Sequence, residues 1–115
     1  ILSVTCGGPE ETFQYNGRNG DIDLLLWPLN FSLSYVGMTI LRPVVLYGVQ
    51  AEMAPRPGGE LADLIGRNTE AFRRRIRTIE SAERLRFNGW DDWEGGRLKP
   101  GVEGHSLVMR SRKLP

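Results

Sequence analysis

Thr5, Cys6, Gly7 and Gly8 follow directly on an apolar run, Ile1 to Val4, and form the part of the chain best suited to hold a ligand. In open α/β sheets ligands bind beyond the carboxyl ends of the strands. Two glycines there let backbone N–H groups approach a flat, acceptor-rich molecule with no Cβ in the way. A strand followed by Gly-Gly is also found at many tight turns, so a purely structural turn is the competing reading. Cys6 is the sole cysteine, and a thiol at the end of a buried strand serves more often as a small packing residue than as a redox centre. One cysteine and one histidine, His105, cannot supply a disulfide or a metal site of ordinary ligand spacing, so no metal is expected. His105, in a glycine-flanked stretch, reads as solvent-exposed. A reducing cytoplasm is the default setting.

The elements that must position these residues are read from spacing. Ile1 to Thr5, bounded by glycine and proline, reads as a buried strand. Pro9 to Gly20 reads as a long loop, with Asn16-Gly17 and Asn19-Gly20 as places for positive φ; loops of this length are uncommon in compact domains unless they bind something. Asp21 can cap a helix on which Ile22, Leu25, Leu26 and Leu29 share a face that Leu33 and Val36 continue. Pro28 predicts a kink or a restart in it, and Gly37 fits the position just past its end. Val44 to Val49 reads as a second buried strand, making a β-α-β unit with a parallel pair and a right-handed crossover. Residues 54–59 read as a loop. Leu61, Leu64, Ile65, Asn68, Phe72, Ile76 and Ile79 then step by three or four along a helix, with Glu60 and Asp63 early and arginines late, as the macrodipole favours. From Phe87 the pattern dissolves into an irregular tail whose Trp90 and Trp93 are expected to pack on a surface.

With 115 residues, 40% of them hydrophobic, and 15 Lys plus Arg against 14 Asp plus Glu, the chain has the composition of an ordinary globular domain. The uncharged stretch from Leu24 to Leu41 contains Pro28, Asn30, Ser32, Ser34, Gly37 and Thr39, too many polar and helix-breaking residues for a bilayer span. Arg73, Arg74, Arg75 and Arg77 read as a solvated face late in a helix; a nucleic-acid stripe is the weaker reading because the net charge is only +1. The alternation of strands and helices signals an α/β fold with a parallel sheet. Two parallel strands are too few for such a sheet, so further strands are expected upstream of Ile1. The start at Ile1, with neither an initiator methionine nor a basic leader, reads as a chain that has lost its beginning and carries no secretory signal.

Four short motifs occur in order: Leu2-Ser3-Val4-Thr5-Cys6-Gly7-Gly8-Pro9, then Asn16-Gly17-Arg18-Asn19-Gly20-Asp21, then Leu26-Trp27-Pro28-Leu29, and finally Val36-Gly37 with Leu41-Arg42-Pro43. Together they resemble the C-terminal part of the NAD(P)H:quinone oxidoreductases, the DT-diaphorase family of flavodoxin-like FAD enzymes, over about Ile1 to Ile79. The resemblance implies a flavodoxin-like parallel sheet sandwich of which the last two strands and their helices are present. Residues 1–86 are then the C-terminal half of a quinone reductase domain and 87–115 an irregular tail.

The resemblance further implies that Thr5, Cys6, Gly7 and Gly8 bind the isoalloxazine ring of FAD, with FMN as the other possibility, through backbone donors. It places Phe13 where family members carry tyrosine, and Asn19 where some carry histidine and others asparagine, as the catalytic positions near the flavin. Phe13 has no hydroxyl, and Tyr15 is the nearby phenol that could replace it; Asn19 does not titrate near neutral pH. Tyr35 matches an aromatic residue that lines the substrate pocket from the second subunit of a homodimer. The implied activity is two-electron reduction of quinones by NADH or NADPH in a cytoplasmic enzyme, with no nucleic-acid partner, no stable membrane insertion and no metal. The fragment alone is expected to be inactive. The alternative is a flavin-binding ancillary subunit of a potassium-efflux transporter with little turnover.

Overall fold

The computed structural model describes residues 2–49 and 58–104. In chain order it holds β1 (Ser3–Thr5), a 3-10 turn (Glu10–Phe13), α1 (Ile22–Tyr35), β2 (Val44–Leu46), α2 (Gly58–Arg77), two further 3-10 turns (Ile79–Ser81 and Trp90–Asp92), β3 (Trp93–Glu94) and β4 (Arg97–Leu98). Contacts divide the chain into two units: residues up to 22 with 41–84, and 23–40 with the residues from 85. One passage between the units falls close to residue 86, but the first helix groups with the C-terminal segment.

In the first unit β1 and β2 pair in parallel, with Ser3 opposite Val44, Val4 opposite Val45 and Thr5 opposite Leu46. The parallel pair expected from the sequence is therefore present, in strands shorter than the apolar runs that announced them. Val44 N–H donates to the Leu2 carbonyl at 3.0 Å and Cys6 N–H to the Leu46 carbonyl at 2.8 Å. A parallel ladder engages alternate residues, so Ser3 and Thr5 turn their backbone groups to the opposite edge, where β1 has no neighbour among the described residues.

Helix α2 contacts β2, and Asn68 Nδ2 reaches the Tyr47 carbonyl at 3.4 Å. Its half-buried residues are Leu61, Leu64, Asn68 and Arg75, whereas Ile65, Phe72 and Ile76 of the expected stripe are exposed. Gly58 and Gly59, read as loop, open the helix; the rest of that loop lies outside the described residues, as does His105. Leu41 bridges Arg84 in antiparallel fashion, Arg42 N–H donates to the Glu83 carbonyl at 2.8 Å, and the Arg42 guanidinium meets the Glu83 carboxylate through Nε at 2.6 Å and Nη2 at 3.2 Å. Hydrogen bonding from Arg42, reinforced by its charge, holds the Glu83 carboxyl below its usual range.

In the second unit α1 is one helix through Pro28, not two pieces. The missing N–H deprives only the Leu24 carbonyl of its partner, and Leu24 lies on an exposed side of the helix where water can take its place. The buried residues are Leu26 and Asn30, one turn apart, while Leu25 and Leu29 of the expected face are 52% and 55% exposed. Leucine and aromatic residues occur on every side of α1, so periodicity alone singles out no face. Gly37, at φ +91°, closes the helix: its N–H donates to the Ser34 carbonyl at 2.9 Å and Met38 N–H to the Leu33 carbonyl at 3.1 Å, the paired bonds of a Schellman ending.

Within the stretch expected to be an irregular tail, residues 93–98 form a hairpin, and the part from 105 lies outside the described residues. β3 and β4 pair with Trp93 opposite Leu98 and Glu94 opposite Arg97, joined by Gly95 and Gly96 at φ +56° and +76°. Positive φ at both central residues makes the tight turn whose twist suits two strands. The signal was Gly-Gly between short paired segments, easily missed where the strands are two residues long. The Asp92 carboxylate accepts from Gly89 N–H at 3.0 Å and Asn88 Nδ2 at 3.1 Å, and the same Nδ2 donates to the Glu103 carbonyl at 3.0 Å.

Two glycine substitutions should act in opposite senses. Gly37→Ala forces a side chain into the left-handed region and should cost about 1 kcal/mol or more, whereas Gly66→Ala, inside α2 with nothing within 4 Å of the new Cβ, should stabilise by roughly 0.5–1 kcal/mol. Urea unfolding midpoints measure both. Because the Glu83 carboxyl is held low, the stabilisation it contributes is present above the ordinary glutamate range and is lost as pH falls through its folded value. Carboxyl NMR should place its midpoint below that of an exposed glutamate, and Arg42→Met should return it.

Candidate functional site

The loop after β1 is held by its carbonyls. The Cys6 carbonyl accepts from Val49 N–H at 3.1 Å and the Gly8 carbonyl from Gly48 N–H at 2.8 Å. The Cys6 N–H is engaged by Leu46, whereas among the described residues neither Gly7 N–H nor Gly8 N–H meets a backbone acceptor. Hydrogen-bond donors thus remain at the carboxyl end of β1 while the carbonyls of Cys6 and Gly8 are filled, which favours a ligand edge rich in acceptors. Of the four residues singled out for ligand contact, Gly7 and Gly8 offer free amides. Thr5 turns its backbone to the outer edge, and Cys6 serves the ladder.

The stretch read as a loop winds into a 3-10 turn and a series of tight turns that bring Phe13 and Asn19 back onto Gly8. A Cβ placed on Gly8 would lie 2.9 Å from Asn19 Nδ2, 3.0 Å from Thr12 Oγ1 and 3.3 Å from Phe13 Cε2. The second glycine therefore admits these side chains as well as any ligand. Asn19 Nδ2 donates to Thr12 Oγ1 at 2.8 Å, and Thr12 Oγ1 donates to the Pro9 carbonyl at 2.7 Å. The Phe13 ring packs on Tyr47 at 5.8 Å between centroids. Tyr15 is 74% exposed, and its hydroxyl makes no hydrogen bond among the described residues. Cys6 is 8% exposed, and burial pushes its thiol up from the ordinary cysteine value, so it is a neutral packing group at pH 7.

Tyr35 lies in the second unit, on a row of aromatic residues. Trp27 stacks on Phe31 at 4.7 Å and 14°, Phe31 meets Phe87 at 6.4 Å, and Tyr35 takes the edge of Trp90 at 5.2 Å. With Trp93 and Met38 they line a groove of about 710 Å³ that has no charged side chain in its wall. Trp90, expected to pack on a surface, does so against Tyr35 while remaining 72% exposed. The indole N–H of Trp27 is buried without a partner, and nothing in the structure accounts for it. Among the described residues no cluster of His, Cys, Asp and Glu can hold a metal ion, and no helix is long and apolar enough to cross a membrane.

Two parallel strands, a helix between them in sequence and a glycine loop at the carboxyl end of the first agree with a family match: the model described as the flavodoxin-like fold covers residues 1–63. The chain belongs to this family. Among curated proteins the flavodoxin-like chain is 36% identical over 50 residues to NAD(P)H dehydrogenase (quinone) 1 of Cavia porcellus, covering 43% of the chain and 18% of that protein. It is 26% identical over 88 residues to the protein of that name from Rattus norvegicus, covering 76% of the chain and 29% of the relative. With ribosyldihydronicotinamide dehydrogenase (quinone) of Homo sapiens it shares 31% identity over 84 residues, covering 72% of the chain and 33% of the relative. The chain thus has a distant, partial homology to quinone dehydrogenases and spans a third or less of the length of each.

Around this loop, sequence reasoning passed over Thr12 and Tyr47 and gave Gly17 a different part. Asn16-Gly17 was expected to supply positive φ, but neither residue adopts it. Gly17 is needed because a Cβ there would lie 2.2 Å from the Thr12 carbonyl oxygen, and that oxygen accepts Asn19 N–H at 2.9 Å. No local pattern announces such a close approach between residues five apart. Cys6 gives the check on this geometry: at pH 7 its alkylation by iodoacetamide should be at least tenfold slower in the folded protein than in urea, rising only as alkaline pH forms the thiolate. Rapid native alkylation would mean that the strand end is open.

Proposed function

We propose that the protein is a flavin-dependent reductase that takes hydride from NADH or NADPH and delivers it in a two-electron step to quinone-like acceptors. The observation that carries this reading is the pair of unengaged amides at Gly7 and Gly8, with Asn19 and Phe13 drawn against the same glycine. The residues present fit the acceptor-rich edge of an isoalloxazine ring: the amides of Gly7 and Gly8 offer donors, and the carbonyls of Cys6 and Gly8 are already filled. When bound, FAD or FMN supplies hydride acceptance and release in turn, which gives ping-pong kinetics.

Gly7 and Gly8 hold that edge and favour negative charge on it through preorganised dipoles. Asn19 donates a hydrogen bond and accepts one but exchanges no proton at neutral pH. Phe13, without a hydroxyl, gives an apolar wall that keeps water from the reacting face. Tyr35 belongs to the substrate pocket, and the uncharged aromatic groove around it suits a flat, neutral acceptor; its volume falls in the range of small-molecule sites. The outer edge of β1 takes further parallel strands, which makes β1 and β2 the last two of a larger sheet and 1–86 the C-terminal half of the domain. The apolar residues exposed on α1, among them Leu25 and Leu29, support a homodimer. The reading places the enzyme in the cytoplasm.

The full-length protein should purify with bound flavin and turn over a naphthoquinone with NADPH. Asn19→Ala should lower kcat by up to ~100-fold, the scale that loss of correct positioning can cost, with kcat/KM free of any inflection near neutral pH assignable to position 13 or 19. Protein that refuses added flavin would end this reading. Flavin binding without turnover would favour the ancillary-subunit reading, to which the loss of the phenol at position 13 lends its support.

A further inference from the structure

We propose that Thr12 is a positioning residue that locks the side-chain amide of Asn19 in a single orientation, with its nitrogen toward the loop and its carbonyl oxygen directed away. The inference rests on the flavin-site reading for its kinetic consequence and on geometry alone for the orientation. Thr12 Oγ1 carries one hydrogen, and that hydrogen is directed to the Pro9 carbonyl at 2.7 Å. The hydroxyl can then only accept from Asn19, so the atom 2.8 Å away must be the amide nitrogen. The flipped amide would bring two oxygens together with no hydrogen between them.

The same residue grips Asn19 a second time, since the Thr12 carbonyl accepts Asn19 N–H at 2.9 Å. Gly8 closes the third side: its Cα leaves no room for a methyl beside Nδ2 and Oγ1. Backbone and side chain of position 19 are thus both referred to Thr12, and Thr12 to Pro9 through Oγ1 and through its own N–H at 3.1 Å. What Asn19 can still offer is one N–H and the Oδ1 acceptor, each in a fixed direction. An exposed asparagine would otherwise have to be ordered when its ligand arrives, and pre-ordering it raises the fraction of bound states from which reaction proceeds.

Thr12→Val keeps the shape and removes the hydroxyl; Thr12→Ser keeps the hydroxyl. Selective ¹⁵N labelling of asparagine in the full-length protein should show the two Asn19 Nδ2 protons displaced from their free-amide positions in wild type and in Thr12→Ser, and returned to them in Thr12→Val. With menadione as acceptor, Thr12→Val should lower kcat by about tenfold, well inside the hundredfold that a misplaced group can cost, with KM and flavin content unchanged and the Ser variant restored. In an Asn19→Ala background the valine substitution should have no further effect, because its action passes through that amide. An Asn19 amide unmoved by Thr12→Val would overturn the proposal, as would equal losses for the Val and Ser variants or additive losses in the double variant. If wild type binds no flavin the flavin-site reading fails, and if it binds flavin without turnover only the reductase reading fails; in either case the amide spectra still decide the orientation.

Discussion

The parallel pairing of β1 with β2 decides which backbone groups remain for chemistry. The ladder engages every second residue of β1, and its last bond is the Cys6 N–H to Leu46. Beyond it the chain following β2 stays close enough for Gly48 and Val49 to fill the carbonyls of Gly8 and Cys6. Two bonds therefore close off the carbonyls of Cys6 and Gly8, while the donors of Gly7 and Gly8 stay open. A one-residue slip of register would exchange these roles, since alternate residues face opposite edges. Which amides stay open at this strand end is thus a property of the register, and Phe13 and Asn19 are placed around them by the loop.

What could be read from the sequence is what rests on local pattern. The apolar runs gave both strands and their parallel sense, the three-four spacing gave α2, and a glycine after an apolar helix gave the Gly37 ending. The glycine pair after β1 was legible as a place for free amides. The part that Thr12 and Gly17 play was not, because each acts through a contact with a residue several positions away that no propensity records. The face of α1 was misjudged for a different reason: with leucines and aromatics on all sides, a stripe can be drawn in more than one direction, and burial chose Leu26 and Asn30. The hairpin of β3 and β4 was overlooked because its strands are too short to show alternation.

The aromatic groove beside α1 shows how a small unit forms a concave wall without a deep core. Trp27 and Phe31 stack nearly parallel, while Tyr35 and Trp90 meet edge to face at 62°; both arrangements follow from the ring quadrupole. The C-terminal segment reaches this geometry because Asp92 gathers Asn88, Gly89 and Lys99 around itself, its backbone carbonyl accepting Lys99 N–H at 2.9 Å. That polar knot fixes the turn carrying Trp90, so the apolar wall depends on a hydrogen-bonded frame. The groove carries no charge of its own, so a charged ligand entering it would lose hydration without compensation.

The pairing of Phe13 with Asn19 constrains how a reductase built on this loop would manage protons. Hydride delivery to a quinone leaves an oxyanion, which must be met by a hydrogen bond or by a proton. Neither a phenyl ring nor a carboxamide can give up a proton at neutral pH, so these two positions can offer only the fixed dipole of the amide. Tyr15 is 74% exposed, and its hydroxyl makes no hydrogen bond among the described residues that would hold it for the task. Stabilisation by an oriented dipole is effective only if the dipole does not have to reorganise as charge appears. A loop in which one threonine holds both the backbone and the amide of residue 19 satisfies that condition, so the part these two positions could play is that of a fixed dipole and not of a proton donor.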